Sequence, residues 1–306
     1  MPAGRNWWRL VLGTTTFAML APGALGLVLI PFAALLVTAG PRQPRDRAIA
    51  LLAGSIGIFF SVAVATDALG TALATYTLIV ATAFAGSALL TPKAVLRQAL
   101  RAMLWGVGGT GLLGLALRGS GFWSEVHWSA VRQASSAMRL VIQARPDAYM
   151  LFEPLVRFFG VAFPALVALQ TFAGLALAWQ WHVRVATAPL GQPLGPFHQF
   201  RFGDQWVWGI VTALLVWVVP KLAALKGAAL NLGLVLGVFY LLRGAAIVVA
   251  VGVAAGAPVW TLVTGAVVAS ILVLPLLLLV PGLWTLGVFD TWLAFRQRRA
   301  GRPSAR

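Results

Sequence analysis

The chain has 306 residues, of which 60% are hydrophobic and 10% are charged, and its formal net charge is +16. A soluble domain averages about 25% charged residues because its exterior must stay polar, so this composition excludes an ordinary water-soluble globular protein. The absence of cysteine excludes disulfides, thiolate metal sites and cysteine nucleophiles.

The charged residues are confined to short segments, and long uncharged stretches lie between them, the longest at 244–289. A helix needs about 20 apolar residues to cross the hydrocarbon core of a bilayer. A series of such stretches is typical of a polytopic membrane protein, whereas buried helices of a soluble protein would give isolated ones. We therefore predict an all-α, polytopic transmembrane helical bundle of about seven to nine spans in the lipid bilayer.

Residues 1–118 predict the first group of transmembrane helices. The apolar run at 10–40 follows a basic N-terminus as in a signal peptide, but its length favours an uncleaved first span. Pro22 and Pro31 interrupt this run, so a kinked long helix and a shallow helical hairpin both fit it. Further spans are predicted at 48–65, 69–90 and 102–118.

Residues 119–157 differ from the spans on either side because charged side chains return. Val126, Val131, Met138 and Val141 recur among these charges at near-helical spacing. An apolar stripe beside a polar face is typical of an amphipathic helix. We predict an extramembrane amphipathic segment that lies on the membrane or on other spans, and the side of the membrane stays open.

Residues 158–306 predict the C-terminal transmembrane helices and a basic tail, so that the whole chain forms one integral membrane domain. The segment after Pro281, at 282–295, fits either an amphipathic terminal helix or a last short crossing. The tail beyond it carries arginines and no acidic residue, which predicts a cytoplasmic C-terminus by the positive-inside rule. The spans of this part are predicted at 158–181, 206–220, 228–252 and 259–280.

Two further patterns have plain structural explanations. The glycine-rich stretch at 106–111 matches the letters of a dinucleotide fingerprint, but it lies in an apolar span rather than after a strand, so it predicts close helix packing. The cations lie in connections and the tail rather than in a basic stripe, so we expect no nucleic-acid partner. Small residues spaced four apart, as at Ala68/Ala72 and Ala81/Ala85, fit internal packing or a docking face for a membrane partner.

Asp67, Asn231, Tyr240 and Arg243 are the candidate ligand-binding residues, because polar groups near apolar spans need a partner or water. Asp67 also fits a solvated turn, and Asn231 also fits a helix N-cap. Arg243 fits a snorkelling cation, a partner of Asp67 or Asp290, or a contact for an anionic ligand. Asp290 itself also fits an interfacial group beside the basic tail.

No catalytic pattern is visible. The three histidines, at 127, 182 and 198, are not spaced with acidic residues as metal ligands are, and no nucleophile is placed beside a base. We therefore predict no catalytic residues, no metal ligands and no cofactor, and a protein that is not an enzyme.

Three stretches resemble a known family. They are FHQFRFGDQWVW at 197–208, NLGLVLGVFYLLRGA at 231–245 and GVFDTWLAFR at 287–296. In this order they are similar to motifs of the YybS-like family of bacterial membrane proteins, a domain of unknown function. The chain departs from those motifs at Gly203, where proline is frequent, at Trp206, which falls one residue later, and at Arg243, where a neutral polar residue is more usual.

The resemblance implies a bacterial cytoplasmic membrane location and a distant grouping with the S-components of energy-coupling-factor transporters. That grouping implies a helical bundle with a small-molecule pocket, docked on a coupling membrane protein that works with an ATPase. The leading hypothesis is accordingly a small-molecule binding or transport component. The alternative is a non-transporting membrane scaffold or assembly factor, which needs only packing faces, the segment at 119–157 and the basic tail.

Overall fold

The computed structural model describes residues 26–39, 67–90, 95–144, 149–186, 189–258, 260–261, 264–265 and 273–293. Throughout these ranges the regular secondary structure is helical and no strand occurs, which confirms the all-α fold class. The predicted span at 48–65 and part of the one at 259–280 lie outside the described residues. The chain divides into two compact units, Met1–Leu194 and Gly195–Arg306.

Within the described residues, four helices are long and apolar enough to cross a membrane. This agrees with a membrane-embedded protein, since hydrocarbon can solvate the apolar faces that these helices leave exposed. The long spans are Ala68–Leu90, Val95–Ala116, Glu153–Val185 and Pro220–Ala254, and shorter apolar helices are Gly26–Leu36, Asp204–Val218 and Leu277–Leu293.

The first unit contains five described helices. They are α1 (Gly26–Ala39), α2 (Ala68–Leu90), α3 (Val95–Arg118), α4 (Phe122–Ala144) and α5 (Tyr149–Val185). A short 3₁₀ turn at Gly119–Gly121 separates α3 from α4. Gly119 has φ +72° there, a backbone conformation that glycine adopts without steric cost.

The core of the first unit forms where α1, α2, α3 and α5 meet. Phe84, Leu35 and Leu175 are fully or almost fully buried in it, and the Trp179 ring stands edge-on to Phe84 with centroids 6.0 Å apart. Small residues of α2, among them Ala81 and Ala85, are buried as well. For this row, internal packing is therefore the interpretation that the structure supports.

The glycine-rich stretch at 106–111 lies inside α3 and packs on α2. A Cβ at Gly106 would overlap the Val80 side chain, and one at Gly109 would come within 2.8 Å of Ile79 Cδ1. The prediction of close helix packing at this stretch is confirmed.

The chain after α5 folds back onto the end of that helix. Trp179 Nε1 donates a hydrogen bond to the Gln192 carbonyl at 3.0 Å, and the Leu190 N–H donates to His182 Nε2 at 3.4 Å. His182 is fully buried at the end of α5. These contacts attach residues 189–194 to the first unit.

The second unit contains three described helices: α6 (Val207–Val218), α7 (Lys226–Ala254) and α8 (Val273–Leu293). Pro220 interrupts the helical structure between α6 and α7, and a 3₁₀ segment, Pro220–Leu225, makes the turn there. At the end of α7, Gly256 has φ +83°, and the Ala257 N–H bonds back to the Gly252 carbonyl. This is a Schellman cap, in which glycine takes the left-handed position.

Three predicted helix starts are wrong, and the first is that of α5, which begins at Tyr149 rather than 158. Helix α3 begins at Val95 rather than 102, and α8 runs from Val273 through Pro281 instead of starting after it. Charge marks where a helix leaves hydrocarbon, but the helix itself can continue beyond that point. A proline kinks a membrane helix without ending it, because the backbone groups that it frees find other hydrogen-bond partners. Asn231 also lies inside α7, so the N-cap interpretation of this residue is wrong.

Candidate functional site

The candidate site lies in the second unit, where Arg243 of α7 meets α8 and the loop that precedes α6. We call residues 195–206 the capping loop. The Arg243 side chain is only 8% exposed, although its guanidinium stays charged in proteins. A buried charge of this kind is costly unless oppositely charged and hydrogen-bonding groups surround it.

The first partner of Arg243 is Asp290 of α8. Arg243 Nε and Nη2 both donate to Asp290 Oδ2, at 3.0 and 2.9 Å, and the Asp290 side chain is only 5% exposed. Hydrogen bonds between ionised groups are stronger than neutral ones, which offsets part of the cost of desolvating both charges. Of the alternatives left open for Arg243, pairing with Asp290 is the one that the structure contains.

The second partner set comes from the capping loop. Arg243 Nη1 donates to Asp204 Oδ1 at 2.5 Å and to the Phe202 carbonyl at 3.0 Å. The Asp204 side chain is 63% exposed, in contrast to Asp290. Arg243 therefore joins a buried carboxylate on one side to a water-exposed carboxylate on the other.

Aromatic contacts hold the capping loop against α7. The Phe202 ring stacks on Phe239 with centroids 4.9 Å apart and meets Tyr240 edge-on at 5.3 Å. Tyr240 is fully buried, and its hydroxyl lies 3.5 Å from the Gly203 and Asp204 carbonyl oxygens. Phe202 thus anchors the loop by ring packing, while Arg243 and Tyr240 reach its polar backbone.

A close helix crossing brings the two buried charges together. A Cβ at Gly244 would overlap the Leu283 carbonyl oxygen, and a Cβ at Gly287 would overlap the Tyr240 carbonyl oxygen. Glycine at both positions lets the backbones of α7 and α8 touch. Because Arg243 and Asp290 lie within one turn of these glycines, the crossing also sets the distance of the ion pair.

The chemistry of this arrangement is that of charge recognition. The cluster contains one cation and two carboxylates, and Arg243 uses Nε, Nη1 and Nη2 as donors. In the described part of the chain, no group of three or more His, Asp or Glu side chains comes together as a metal ion would require. What the cluster offers a ligand is a buried guanidinium next to one solvated, replaceable carboxylate.

The structure brings two of the four predicted ligand-binding residues together, Tyr240 and Arg243. Asn231 lies on the same helix, about 18 Å before Arg243 along the helix axis at 1.5 Å per residue. Its Nδ2 donates to the Gly227 carbonyl at 2.8 Å, within α7. Asn231 is therefore separated from the Arg243 cluster.

Asp67 belongs to the first unit and lies directly before α2. Its Oδ1 accepts a hydrogen bond from the Gly70 N–H at 3.0 Å, and its side chain is exposed. This geometry is that of an N-cap, in which a side-chain oxygen satisfies a free N–H of the first helical turn. The solvated-turn interpretation of Asp67 agrees with these contacts.

The sequence reasoning missed Asp204, Phe202 and the two crossing glycines as members of the site. A signal was nevertheless present, because all of them fall inside the three stretches at 197–208, 231–245 and 287–296. Distance along the chain hid their relation, since Arg243 and Asp204 are 39 residues apart and Arg243 and Asp290 are 47 apart.

The chain matches no protein-family model, no curated protein and no solved structure. The similarity to the YybS-like family therefore stays a prediction that rests on those three stretches.

Proposed function

We propose that this chain is a small-molecule binding component of the bacterial cytoplasmic membrane, without enzymatic activity of its own. In this proposal it hands its solute to a coupling membrane protein that works with a separate ATPase. The C-terminal tail lies on the cytoplasmic side, and the chain is a relative of the YybS-like proteins and, distantly, of S-components.

The observation that supports a binding role is the asymmetry around Arg243. If Arg243 only held helices together, one buried carboxylate would be enough to pair it, and Asp290 is such a carboxylate. Asp204 adds a solvated carboxylate from a loop that covers the guanidinium. Ligand sites between membrane helices combine an apolar lining with few polar groups. Arg243 and Tyr240 supply such polar groups, and the capping loop covers them.

The test is purification in mild detergent from the native membrane, followed by native mass spectrometry of the intact protein. A binding component should carry a stoichiometric small molecule or recover a coupling protein with an ATPase. The variants Arg243→Lys and Tyr240→Phe should reduce the retained ligand several-fold, because each weakens one donor of the cluster. Asp67→Asn is the matched control, since it changes a polar group of the first unit.

Two results would overturn the proposal. One is a protein that carries no ligand and recovers no transport partner under conditions that keep it folded. The other is a bound small molecule whose retention is the same in Arg243→Lys, Tyr240→Phe and the unsubstituted chain.

The second candidate function is a membrane scaffold, and helix α4 is the observation that favours it. One face of α4, including Phe122, Val126 and Ala130, packs on α2 and α5. The opposite face exposes Trp128 and Arg132 among other polar side chains, and a protein partner would cover such a face. In-cell cross-linking from α4 should capture one stoichiometric neighbour if the chain is a scaffold, and a spread of unrelated proteins would rule this role out.

A further inference from the structure

The two carboxylates that hold Arg243 respond differently to the loss of their ion pair. Asp290 is 5% exposed, so releasing it would leave an uncompensated charge in a buried place. Asp204 is 63% exposed, so water can solvate its carboxylate as soon as it moves away. Of the two carboxylates, Asp204 is therefore the one that can leave Arg243 at small cost to its own solvation.

Opening this pair leaves the buried Arg243 guanidinium with one hydrogen-bond acceptor fewer. The guanidinium is 8% exposed, so water replaces the lost oxygen poorly, and a second anion at the same position restores the interaction. Asp204 thus occupies the position that an external anion would take, and its exposed side is the route by which such an anion would reach Nη1. The Tyr240 hydroxyl donates to the backbone of the same loop, at the Gly203 and Asp204 carbonyls.

The charge of the cluster limits the class of anion. Arg243 contributes one positive charge, and Asp290 and Asp204 contribute one negative charge each. Replacing the Asp204 carboxylate with a monoanion leaves the net charge of the cluster unchanged. A dianion would add a second negative charge close to buried Asp290, which is unfavourable in a poorly solvated place.

Exchange at Arg243 also acts on the capping loop. Phe202 stays held by its ring contacts with Phe239 and Tyr240, whereas the Asp204 side chain is held by its ion pair with Arg243. We propose that Arg243 binds a monocarboxylate, which displaces the Asp204 carboxylate and moves the part of the loop next to it. This inference rests on the proposed binding function and adds to it a ligand class and a loop movement.

The experiment uses the full chain, which contains no cysteine, with a single label at Gln205→Cys. Gln205 is exposed and lies next to Asp204, so an environment-sensitive fluorophore there reports the loop. Sodium acetate is titrated against sodium chloride at equal ionic strength, with inorganic phosphate at a pH where it is mainly dianionic as a third arm. Acetate should change the fluorescence saturably, with a midpoint at least tenfold below that of either other salt.

Two variants separate displacement from a general salt effect. Asp204→Asn should start close to the acetate-saturated signal and change less than a fifth as much on titration, because the exchanging carboxylate is gone. Asp67→Asn should titrate like the unsubstituted chain. An equal response to acetate and chloride, or an unchanged acetate response in Asp204→Asn, would overturn the displacement.

Water-soluble molecules and lipids both carry carboxylates, and an experiment in membranes distinguishes these two sources. Nanodiscs with and without oleate are compared with acetate in detergent, and a response to oleate alone assigns the site to a lipid carboxylate. The proposed binding function is tested separately, by the mass of the molecule that co-purifies with the protein. A stoichiometric neutral or cationic ligand would retain that function and overturn the monocarboxylate, whereas no ligand together with no acetate response would overturn both.

Discussion

The two units of this protein use the same kind of helix crossing in different chemical surroundings. In the first unit, a Cβ at Gly174 of α5 would come within 2.5 Å of the Leu27 carbonyl oxygen of α1. In the second unit, Gly244 and Gly287 allow α7 and α8 an equally close approach. Both pairs of helices therefore touch at backbone level, where only glycine fits.

The surroundings of the two crossings differ in polarity. The hydroxyls of Thr77 and Thr171 in the first unit donate to carbonyls of their own helices, four residues back. In the second unit, Arg243 instead joins three separate segments through long-range contacts. Local bonds satisfy a polar group without choosing a partner helix, whereas a long-range ion pair is made only when the right segments meet. In the second unit, an ion pair between distant segments thus selects the arrangement.

The largest expected effect comes from removing the cation. Arg243→Met removes the cation that pairs with buried Asp290, and we expect the free energy of unfolding to fall by about 3–5 kcal/mol. Unfolding in sodium dodecyl sulfate, followed by tryptophan fluorescence, measures it. The double variant Arg243→Met, Asp290→Leu should recover at least half of the loss, because no charge then stays buried. A double variant as unstable as the single one would show that the ion pair itself stabilises the unit.

The second prediction concerns the crossing in the second unit. Gly287→Ala places a methyl group against the Tyr240 carbonyl oxygen, so the helices must separate, at a cost of about 1–3 kcal/mol in unfolding free energy. Gly233→Ala is the matched control, because its Cβ would lie 3.8 Å from Ala213 Cβ, an ordinary contact. The control should be neutral or more stable, since alanine favours the helix. Equal losses in the two variants would contradict the crossing.

The third prediction asks whether the first unit depends on its crossing to the same degree. Gly174→Ala should lower the unfolding free energy by about 1–3 kcal/mol, toward the lower end because no ion pair shares that contact. Gly86→Ala on α2 serves as the control, since nothing lies within 4 Å of its Cβ. If Gly174→Ala lowers the unfolding free energy more than Gly287→Ala does, the ion pair does not make the second unit more sensitive to a methyl group at its crossing.

The fourth prediction tests the local polar chemistry of the first unit. Asp67→Ala removes the N-cap of α2 and should cost about 1 kcal/mol in unfolding free energy, whereas Asp67→Asn should cost almost nothing because asparagine caps equally well. The same detergent titration measures both. A large loss in Asp67→Asn would indicate that the charge of Asp67, rather than its oxygen, is required.

The smallest effect on stability is expected at Asp204. Its carboxylate is exposed, so Asp204→Asn should change the unfolding free energy by about 1 kcal/mol or less, while Asp290→Asn, which alters the buried partner, should cost clearly more. Comparing these two variants measures the asymmetry around Arg243 directly. Equal losses would mean that the capping loop is as essential to the fold as α8 is.

The class of protein and most of the helices follow from the amino-acid sequence. Uninterrupted apolar stretches predicted α2 to within one residue of its start, and α6 and α7 to within two residues at each end. Such stretches are decisive because a backbone in hydrocarbon must satisfy its own hydrogen bonds, and a helix does so within a single segment. The sequence also singled out Arg243 and Tyr240, since polar groups in apolar surroundings need a partner.

The groups that these polar residues contact depend on how the helices pack. Asp67, Asp290 and an anionic ligand were all compatible with Arg243, because hydropathy describes each segment separately and carries no information about which segments are neighbours. The crossing at Gly244 and Gly287 makes Asp290 the buried partner, and the position of Phe202 brings the capping loop to the same arginine. Contacts between residues distant along the chain depend on how whole helices pack, and that packing is a property of the folded unit.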